Sequence, residues 1–279
     1  MPERYLTGAI QKKPGRLYPE SVRFIRDGCD IPFKPPTGHQ RLVTIEGLRL
    51  KIGTEKNGGL VEGVANGKYN WVVAGEDMYE GLPDHLRDRL MIVRWLGFQF
   101  CQYRLGVWEG VSERFLVARG RGDTVKTLED LKPSTAVATK REHVHYLGRV
   151  IEQRGLDLTA VPDSTPETAP DLRGIFVIAD NYETGGTWRN LRPYPISPRE
   201  VLLKSQAVLI RAKKLPWGMM GIFNGMFLPR VDRALANPSL WLNPQSESEH
   251  PELSASHRER DISTASVRRI GSAVALASI

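Results

Sequence analysis

The residues best suited to chemistry follow an apolar run in the second half of the chain. The run from Gly174 to Ala179 is rich in β-branched residues and leads directly into Asp180. A turn rich in glycine and threonine comes next, and it consists of Glu183, Thr184, Gly185, Gly186 and Thr187. An acidic residue and a glycine-rich turn at the carboxyl end of a buried strand are typical of ligand sites in α/β sheets.

This arrangement suits a phosphate group. Because Gly185 and Gly186 carry no side chain, backbone N–H groups can approach an anion closely, and the neighbouring threonines add hydroxyl donors. Asp180 would then hold ribose hydroxyls or a metal ion. The structural alternative is an ordinary turn, with Asp180 capping a helix or ending the sheet. The strand, the acid and the turn together favour the phosphate site.

Basic residues near the N-terminus form a second candidate site. A turn after a short apolar segment contains Lys12, Lys13 and Arg16, which could bind a triphosphate or pyrophosphate. The alternative is that this turn is an ordinary solvated surface turn. The chain has 39 Lys and Arg against 32 Asp and Glu, and this net charge of +7 suits anionic partners. We expect no nucleic-acid partner, because the sequence lacks a one-sided basic helix, a ribonucleoprotein motif and a zinc finger.

Other polar residues give weaker signals. Glu167 could contact a ribose or a metal ion, or it could be a surface carboxylate. His143 and His145 are two residues apart, which places them on different faces of a helix and argues against a metal pair. Cys29 and Cys101 are too few for a disulfide framework or a thiolate zinc site, so we expect two buried thiols.

Alternating strands and helices are predicted to position these residues. Short β-rich segments alternate with helical patterns over about 210 residues, which predicts α/β layers with mainly parallel sheets. The apolar stretches are much shorter than the roughly 18 residues that span a bilayer, and the N-terminus has no apolar signal region. We therefore expect a soluble, cytoplasmic protein without a membrane partner.

The order of seven segments resembles the ATP phosphoribosyltransferase family, which catalyses the first step of histidine biosynthesis. The resemblance runs from about residue 5 to residue 212. The matching segments are Ala9–Leu17, Val73–Asp77, Leu96–Cys101, Ala136–Lys140, Pro166–Pro170, Asp180–Thr187 and Ser205–Ile210.

The resemblance implies a fold of two lobes, similar to type II periplasmic binding proteins, with a catalytic cleft between them. The chain would cross between lobes near Leu96–Gln102 and again near Asp180. This predicts one lobe from residues 1–95 and 181–242 and a second from residues 96–180. Residues 243–279 are polar, without apolar periodicity over most of their length, and are predicted to be a disordered tail.

The implied reaction joins N1 of the adenine of ATP to the anomeric carbon of phosphoribosyl pyrophosphate, with Mg²⁺ as cofactor. In this scheme Asp180 and Glu167 are catalytic, and Asp180 also binds the metal. The substrate-binding residues would be Lys12, Arg16, Lys140, Glu183, Thr184, Gly185, Gly186 and Thr187. The resemblance also implies a homodimer, with or without a regulatory subunit.

Three departures from the family pattern keep other functions open. Phe176 and Asn70 stand where the family has aspartates, and Gly53–Gly58 does not match a further family segment. Transfer to a different nitrogenous acceptor and a non-catalytic small-molecule binder are therefore the alternatives. Leu215–Ile279 does not resemble the family's histidine-binding domain, so we expect the isolated chain to be insensitive to histidine.

Overall fold

The computed structural model describes residues 5–37, 42–118, 124–166, 169, 173–182 and 196–242. The whole predicted phosphate turn, from Glu183 to Thr187, lies outside these residues, as do Glu167 and the predicted tail, 243–279. The fold is therefore described from the two sheets and from the helices that pack on them.

The first lobe contains a six-stranded sheet. Its strands are β1 (Leu6–Gln11), β2 (Leu42–Ile45), β3 (Leu50–Glu55), β4 (Trp71–Gly75), β5 (Leu90–Trp95) and β11 (Ala207–Ala212). Their order across the sheet is β2-β3-β1-β4-β11-β5. Apolar side chains bury both faces of this sheet, with Trp71 and Val73 on one face and Val72 and Ala74 on the other.

The second lobe contains a five-stranded sheet. Its strands are β6 (Cys101–Trp108), β7 (Thr135–Lys140), β8 (Leu158–Asp163), β9 (Val177–Asn181) and β10 (Ile196–Ser205). Their order across the sheet is β10-β6-β9-β7-β8. Apolar residues alternate with other residues from Cys101 to Val107, which predicts a half-buried strand, and the structure confirms it as β6, between β10 and β9.

Seven α-helices are found in the described residues. They are α1 (Tyr18–Arg23), α2 (Asn57–Ala65), α3 (Glu76–Glu80), α4 (Asp84–Arg87), α5 (Val144–Gln153), α6 (Trp217–Ile222) and α7 (Leu228–Ala236). Leu147 and Ile151 of α5 are buried one turn apart, as the apolar spacing predicts. None of the helices in the described part of the chain is long and apolar enough to cross a membrane.

The predicted two-lobed α/β fold is confirmed. Both sheets are mixed, however, so the prediction of mainly parallel sheets is wrong. Strand β1 is parallel to β3 and β4, and β7 is parallel to β8 and β9. The remaining pairings among the described strands are antiparallel. A helical crossover supplies parallel neighbours, whereas a short connection such as the one between β2 and β3 gives an antiparallel pair. Apolar periodicity along a strand does not reveal its partner's direction.

The chain passes between the described sheets at two adjacent points. It leaves the first sheet after β5 and enters the second at β6, and it returns at Gln206, between β10 and β11. The predicted return near Asp180 therefore comes too early, because residues 196–205 pair with β6 in the second sheet. The resemblance carries no information about the pairing partner of β10, so it places the return near Asp180.

Candidate functional site

A cleft of about 520 Å³ lies between the two lobes. Four of its lining residues are the last residues of strands: Gln11 of β1, Gly75 of β4, Lys140 of β7 and Asn181 of β9. Strands β1 and β4 are parallel, as are β7 and β9, so each pair presents its carboxyl ends at one edge of its sheet. This is where α/β sheets commonly bind ligands, and the volume is typical of a small-molecule site.

Basic side chains from both lobes line this cleft. Arg16 follows β1 in the first lobe, and Lys140 ends β7 in the second. The turn that holds Arg16 is anchored by the Gln11 side chain, whose Oε1 accepts a hydrogen bond from the backbone N–H of Leu17. Lys12 is exposed and is not among the lining residues. The structure therefore brings Arg16 and Lys140 to one cleft but places Lys12 outside its lining.

Asp180 is fully buried beneath the cleft, with an exposed side-chain fraction of 0%. Its Oδ2 lies 2.9 Å from Nζ of Lys140, and its Oδ1 accepts a 2.8 Å hydrogen bond from the backbone N–H of Asn181. The charge of Asp180 is therefore compensated within the protein, and the carboxylate holds Lys140 at the cleft. Its predicted contact with ribose or metal remains a prediction.

Asp77 is one of two acidic residues in the cleft lining, the other being Glu142, and it connects the lobes. It lies in α3 of the first lobe and has an exposed fraction of 5%. Its Oδ1 accepts a 2.9 Å hydrogen bond from Ser205 Oγ, and its Oδ2 accepts one of 2.9 Å from Asn181 Nδ2. Nε2 of His143 lies 3.2 Å from the same Oδ2. All three partners belong to the second lobe.

Opposing effects act on the ionisation of Asp77. Burial favours the neutral acid, but the hydrogen bond and charge of His143, the charge of Arg16 and the Asn181 hydrogen bond outweigh burial. The pKa of Asp77 is therefore held well below its usual range. The cleft thus contains a carboxylate that is ionised at neutral pH and lies near Arg16 and His143, which suits a polar ligand carrying both donors and anionic oxygens.

Gly75 makes room for this carboxylate. A Cβ at Gly75 would lie 2.1 Å from Oδ1 of Asp77. The family resemblance includes the segment Val73–Asp77, but it assigns no role to Asp77. The rule that singled out Asp180, an acid after a buried strand, applies equally to Asp77 and could have found it.

His143, Asn181 and Ser205 are site residues that sequence reasoning missed. His143 has an exposed fraction of 2% and packs edge-on against Tyr103, with ring centroids 5.0 Å apart. Tyr103 is buried beneath it, and its hydroxyl lies 2.6 Å from Oγ1 of Thr139. No local signal marks these residues, because their partner Asp77 lies in the other lobe and far away in the sequence.

The described residues contain no ready-made cluster of metal ligands. No group of three or more His, Cys, Asp or Glu side chains that could hold a metal ion is present in the part of the chain that the structure describes. The predicted ligand, Asp180, is buried against an ammonium group. Mg²⁺ therefore stays a prediction of the resemblance.

Two of the departures from the family pattern fall away from the cleft lining. Asn70 precedes β4 at the amino end of that strand, where its Oδ1 accepts a 2.7 Å hydrogen bond from the backbone N–H of Thr7. Phe176 precedes β9 and is partly exposed. Neither is among the residues that line the cleft.

The two sheets, the two crossings and the interlobe cleft define the class of a two-lobed α/β protein with a site of small-molecule size between its lobes. No protein-family profile matches the chain, and no curated protein matches it either. A solved structure of the ATP phosphoribosyl transferase (HisG:HisZ) complex from Thermotoga maritima is similar, with a TM-score of 0.57 and 15% identity. The match covers 83% of this chain and 99% of that chain.

Binding proteins are also similar to this chain. A putative binding component of an ABC transporter from Wolinella succinogenes, complexed with lysine, has a TM-score of 0.48 and 14% identity, covering 87% of this chain and 97% of that one. Holo ArgBP from T. maritima has a TM-score of 0.49 and 12% identity, covering 87% and 93%. At these identities the comparisons show the fold alone.

Proposed function

We propose that this chain is a phosphoribosyltransferase that transfers ribose 5-phosphate from phosphoribosyl pyrophosphate to a nitrogenous acceptor, with ATP as that acceptor. The observation that carries the proposal is the pair Arg16 and Lys140, which line one cleft from opposite lobes. Cations on both walls favour a ligand with negative charge at both ends, and phosphoribosyl pyrophosphate carries a phosphate and a pyrophosphate.

The reaction forms a bond between the acceptor nitrogen and the anomeric carbon and breaks the bond from that carbon to pyrophosphate. Positive charge develops on the sugar, and the leaving group takes the bonding electrons. The protein's main contributions are to align the reactants and to stabilise charge. We assign one charged end of the substrate to Arg16 and the other to Lys140, and no covalent nucleophile is required. No step is assigned to Mg²⁺, because Asp180, the ligand that the resemblance implies for it, is buried against Lys140.

A binding experiment with matched basic variants tests the proposal. Phosphoribosyl pyrophosphate should bind the native chain saturably in calorimetry, and Arg16→Ala should weaken binding about 10- to 100-fold through loss of a charged contact. Lys12→Ala is the control, because Lys12 lies in the same turn but outside the cleft lining. Absence of binding to the native chain, or equal losses in both variants, would contradict the proposed site.

The identity of the acceptor is tested separately by pyrophosphate release. Turnover with ATP at about 1 s⁻¹ or above, within the ordinary range of enzymes, is the expected result. The second candidate is transfer to another nitrogenous acceptor, which is supported by Phe176 at a position where the resembling family has an aspartate. Release of pyrophosphate with a different acceptor but not with ATP would favour it.

A non-catalytic binder is the candidate from another functional class. It is supported by the full burial of Asp180 against Lys140, which keeps the predicted catalytic acid away from a ligand. Saturable binding of phosphoribosyl pyrophosphate without pyrophosphate release in a scan of acceptors would favour this candidate over both enzymes.

A partner subunit is also part of the proposal. The similar structure from Thermotoga maritima is a complex, and we propose that this chain acts either as a homodimer or with a separate regulatory subunit. The mass of the purified chain in size-exclusion chromatography with light scattering separates a dimer from a monomer that awaits a partner.

A further inference from the structure

The two halves of the cleft belong to different lobes, so their alignment depends on how the lobes dock. Between the described sheets the chain crosses only after β5 and at Gln206, and the crossings lie side by side, with Ala207 N–H donating a 3.0 Å hydrogen bond to the carbonyl of Phe98. Two adjacent crossings can act as a hinge. Contacts away from the crossings must therefore fix the angle between the lobes.

Arg149 of α5 makes such contacts. From the second lobe, its Nη1 donates a 3.0 Å hydrogen bond to the carbonyl of Leu82, and its Nη2 donates one to the carbonyl of Glu80. These carbonyls lie at the end of α3, where helical carbonyls lack intrahelical partners. Nη1 also lies 3.3 Å from Oδ1 of Asp84. Arg149 thus holds the end of α3 by backbone and side-chain contacts.

Gly81 lies at the closest approach between the lobes. A Cβ at this position would be 1.8 Å from the backbone carbonyl oxygen of Glu142 in the second lobe. The φ angle of Gly81 is −69°, which alanine adopts without strain. An alanine here would need a small adjustment in its own lobe, where the Asp77 carbonyl oxygen would lie 3.2 Å from the Cβ, but it would clash outright with the docked partner lobe.

The docked helix is also the helix that carries Asp77. Asp77 and Glu80 lie in the same five-residue helix, α3, so whatever fixes the end of α3 also fixes the cleft carboxylate. Asp77 in turn accepts hydrogen bonds from Asn181 and Ser205 of the second lobe. A contact outside the cleft is thereby linked to its interior through one short rigid element.

We propose that Arg149 is a positioning residue for the cleft: by holding the end of α3 it aligns the first-lobe half with the second-lobe half, and ligand affinity depends on it although it does not line the cleft. The proposal rests on the proposed function for the identity of the ligand. It assigns to Gly81 the role of permitting the same docking.

Calorimetry and small-angle scattering on matched variants of the full chain test this proposal. Arg149→Ala and Gly81→Ala should each weaken phosphoribosyl pyrophosphate binding roughly 5- to 50-fold per folded molecule, within the usual range of coupling between sites. Both should enlarge the radius of gyration of the ligand-free chain, and saturating ligand should reverse the change. Arg149→Lys should bind more tightly than Arg149→Ala but less tightly than the native chain, because lysine keeps the positive charge but lacks the planar guanidinium group.

Two controls lie at the helix of Arg149: Gly148 within α5, and Arg154 directly after its end. Arg154→Ala removes an arginine whose partners, Glu129 and Glu200, are in its own lobe. Gly148→Ala adds a Cβ where nothing lies within 4 Å. Both should bind like the native chain.

Each outcome decides the proposal. Native affinity in Arg149→Ala and Gly81→Ala, with lower stability as the only effect, overturns it while the proposed function stands. If the native chain does not bind phosphoribosyl pyrophosphate, the proposed function fails and scattering alone decides: expansion of both variants supports the docking role, and unchanged dimensions overturn it.

Discussion

At the scale of single residues, the position of Asp77 shows how a buried charge is tolerated. Removing a carboxylate from water is costly unless hydrogen bonds and opposite charges compensate it. Asn181, Ser205 and His143 supply these partners, and Arg16 adds a positive charge. Because the partners belong to the other lobe, the same contacts that stabilise the charge also connect the lobes.

This arrangement predicts a pH-dependent contribution of Asp77 to stability. Its lowered pKa means that the stabilisation is present above the unfolded-state pKa of about 3.9 and is lost as the pH falls towards the folded-state value. Asp77→Asn should lower the free energy of unfolding by about 1–3 kcal/mol at pH 7 and by less at pH 3. Urea denaturation at both pH values measures this.

The control for this comparison is Asp88→Asn, because Asp88 is exposed. It should leave the urea midpoint nearly unchanged at both pH values. A deficit of Asp77→Asn that is equally large at pH 3 and pH 7 would show that the carboxylate's charge contributes nothing.

Asn70 is predicted to act on stability rather than on the acceptor. Its side chain accepts the Thr7 N–H at the start of β4, at the opposite end of the strand from the cleft. Asn70→Ala should cost about 1–2 kcal/mol of stability, because the Thr7 amide loses its partner. Affinity for phosphoribosyl pyrophosphate should stay at the native level.

Asn70→Asp is the matched variant, because it keeps an acceptor for Thr7 and introduces the residue of the resembling family. We expect native stability and unchanged turnover. A gain in turnover with ATP would contradict this assignment and would link position 70 to the acceptor.

The sequence located part of the candidate site. Arg16 and Lys140 were predicted from the resemblance, and the structure places both in the cleft lining. His143, Asn181 and Ser205 were missed as site residues because their contacts with Asp77 join two lobes, and local patterns contain no information about such contacts. Asp180 was selected as an acid at a strand end, but its pairing with Lys140 depends on the neighbouring strand β7.

At the scale of elements, the helices after β11 belong to the first lobe. Phe227, between α6 and α7, is fully buried and stacks on Trp71 of β4, with ring centroids 4.3 Å apart. Trp241 packs edge-on against Phe24 and Phe98, at centroid distances of 4.9 and 5.3 Å. The C-terminal helices therefore cover the same sheet that presents Arg16 and Asp77.

This packing predicts a large cost for truncating Phe227. Phe227→Ala should lower the free energy of unfolding by about 3–5 kcal/mol, because it leaves a cavity against Trp71. The urea midpoint measures the loss. The control is Phe115→Ala, because Phe115 is 75% exposed and should change stability by less than about 0.5 kcal/mol. Similar small effects of both variants would mean that α6 and α7 are not part of the cooperative core.

Periodicity predicted the elements better than it predicted their pairing. The buried face of α5 and the strand at Cys101–Trp108 were recognised from their spacing. At the end of that strand buried and exposed residues no longer alternate, because Val107 and Trp108 are both buried. They belong to two different hydrophobic cores, on opposite faces of the sheet. The antiparallel entry of β11 could not be predicted, because it arrives from the other lobe without a helical crossover.

At the scale of the whole molecule, the lobes have separate hydrophobic cores. One set of clusters surrounds the first sheet, and another surrounds the second. We therefore expect two overlapping thermal transitions without ligand, because domains with their own cores unfold as units. A ligand that contacts both walls of the cleft should couple them.

Calorimetry measures this coupling. Phosphoribosyl pyrophosphate at about 100 times its Kd should stabilise the folded chain by about 2.7 kcal/mol, or roughly 5–10 °C in Tm, and should merge the transitions. Ribose 5-phosphate at the same concentration is the control, because it lacks the pyrophosphate and should stabilise less. A shift confined to one transition would contradict a ligand that bridges both walls.

The side-by-side crossings have a consequence for how such a molecule can be assembled. Strands β5 and β11 are antiparallel neighbours, with Trp95 opposite Val208, so the second lobe is an insertion at the tip of a β-hairpin. Insertions are tolerated where the ends of the inserted unit lie close together. A short turn from Phe98 to Ala207 should therefore yield a contiguous first lobe that keeps Arg16 and Asp77 but lacks Lys140 and His143. A cleft with one wall from each lobe can thus arise in a single step, by insertion of one lobe into a turn of the other.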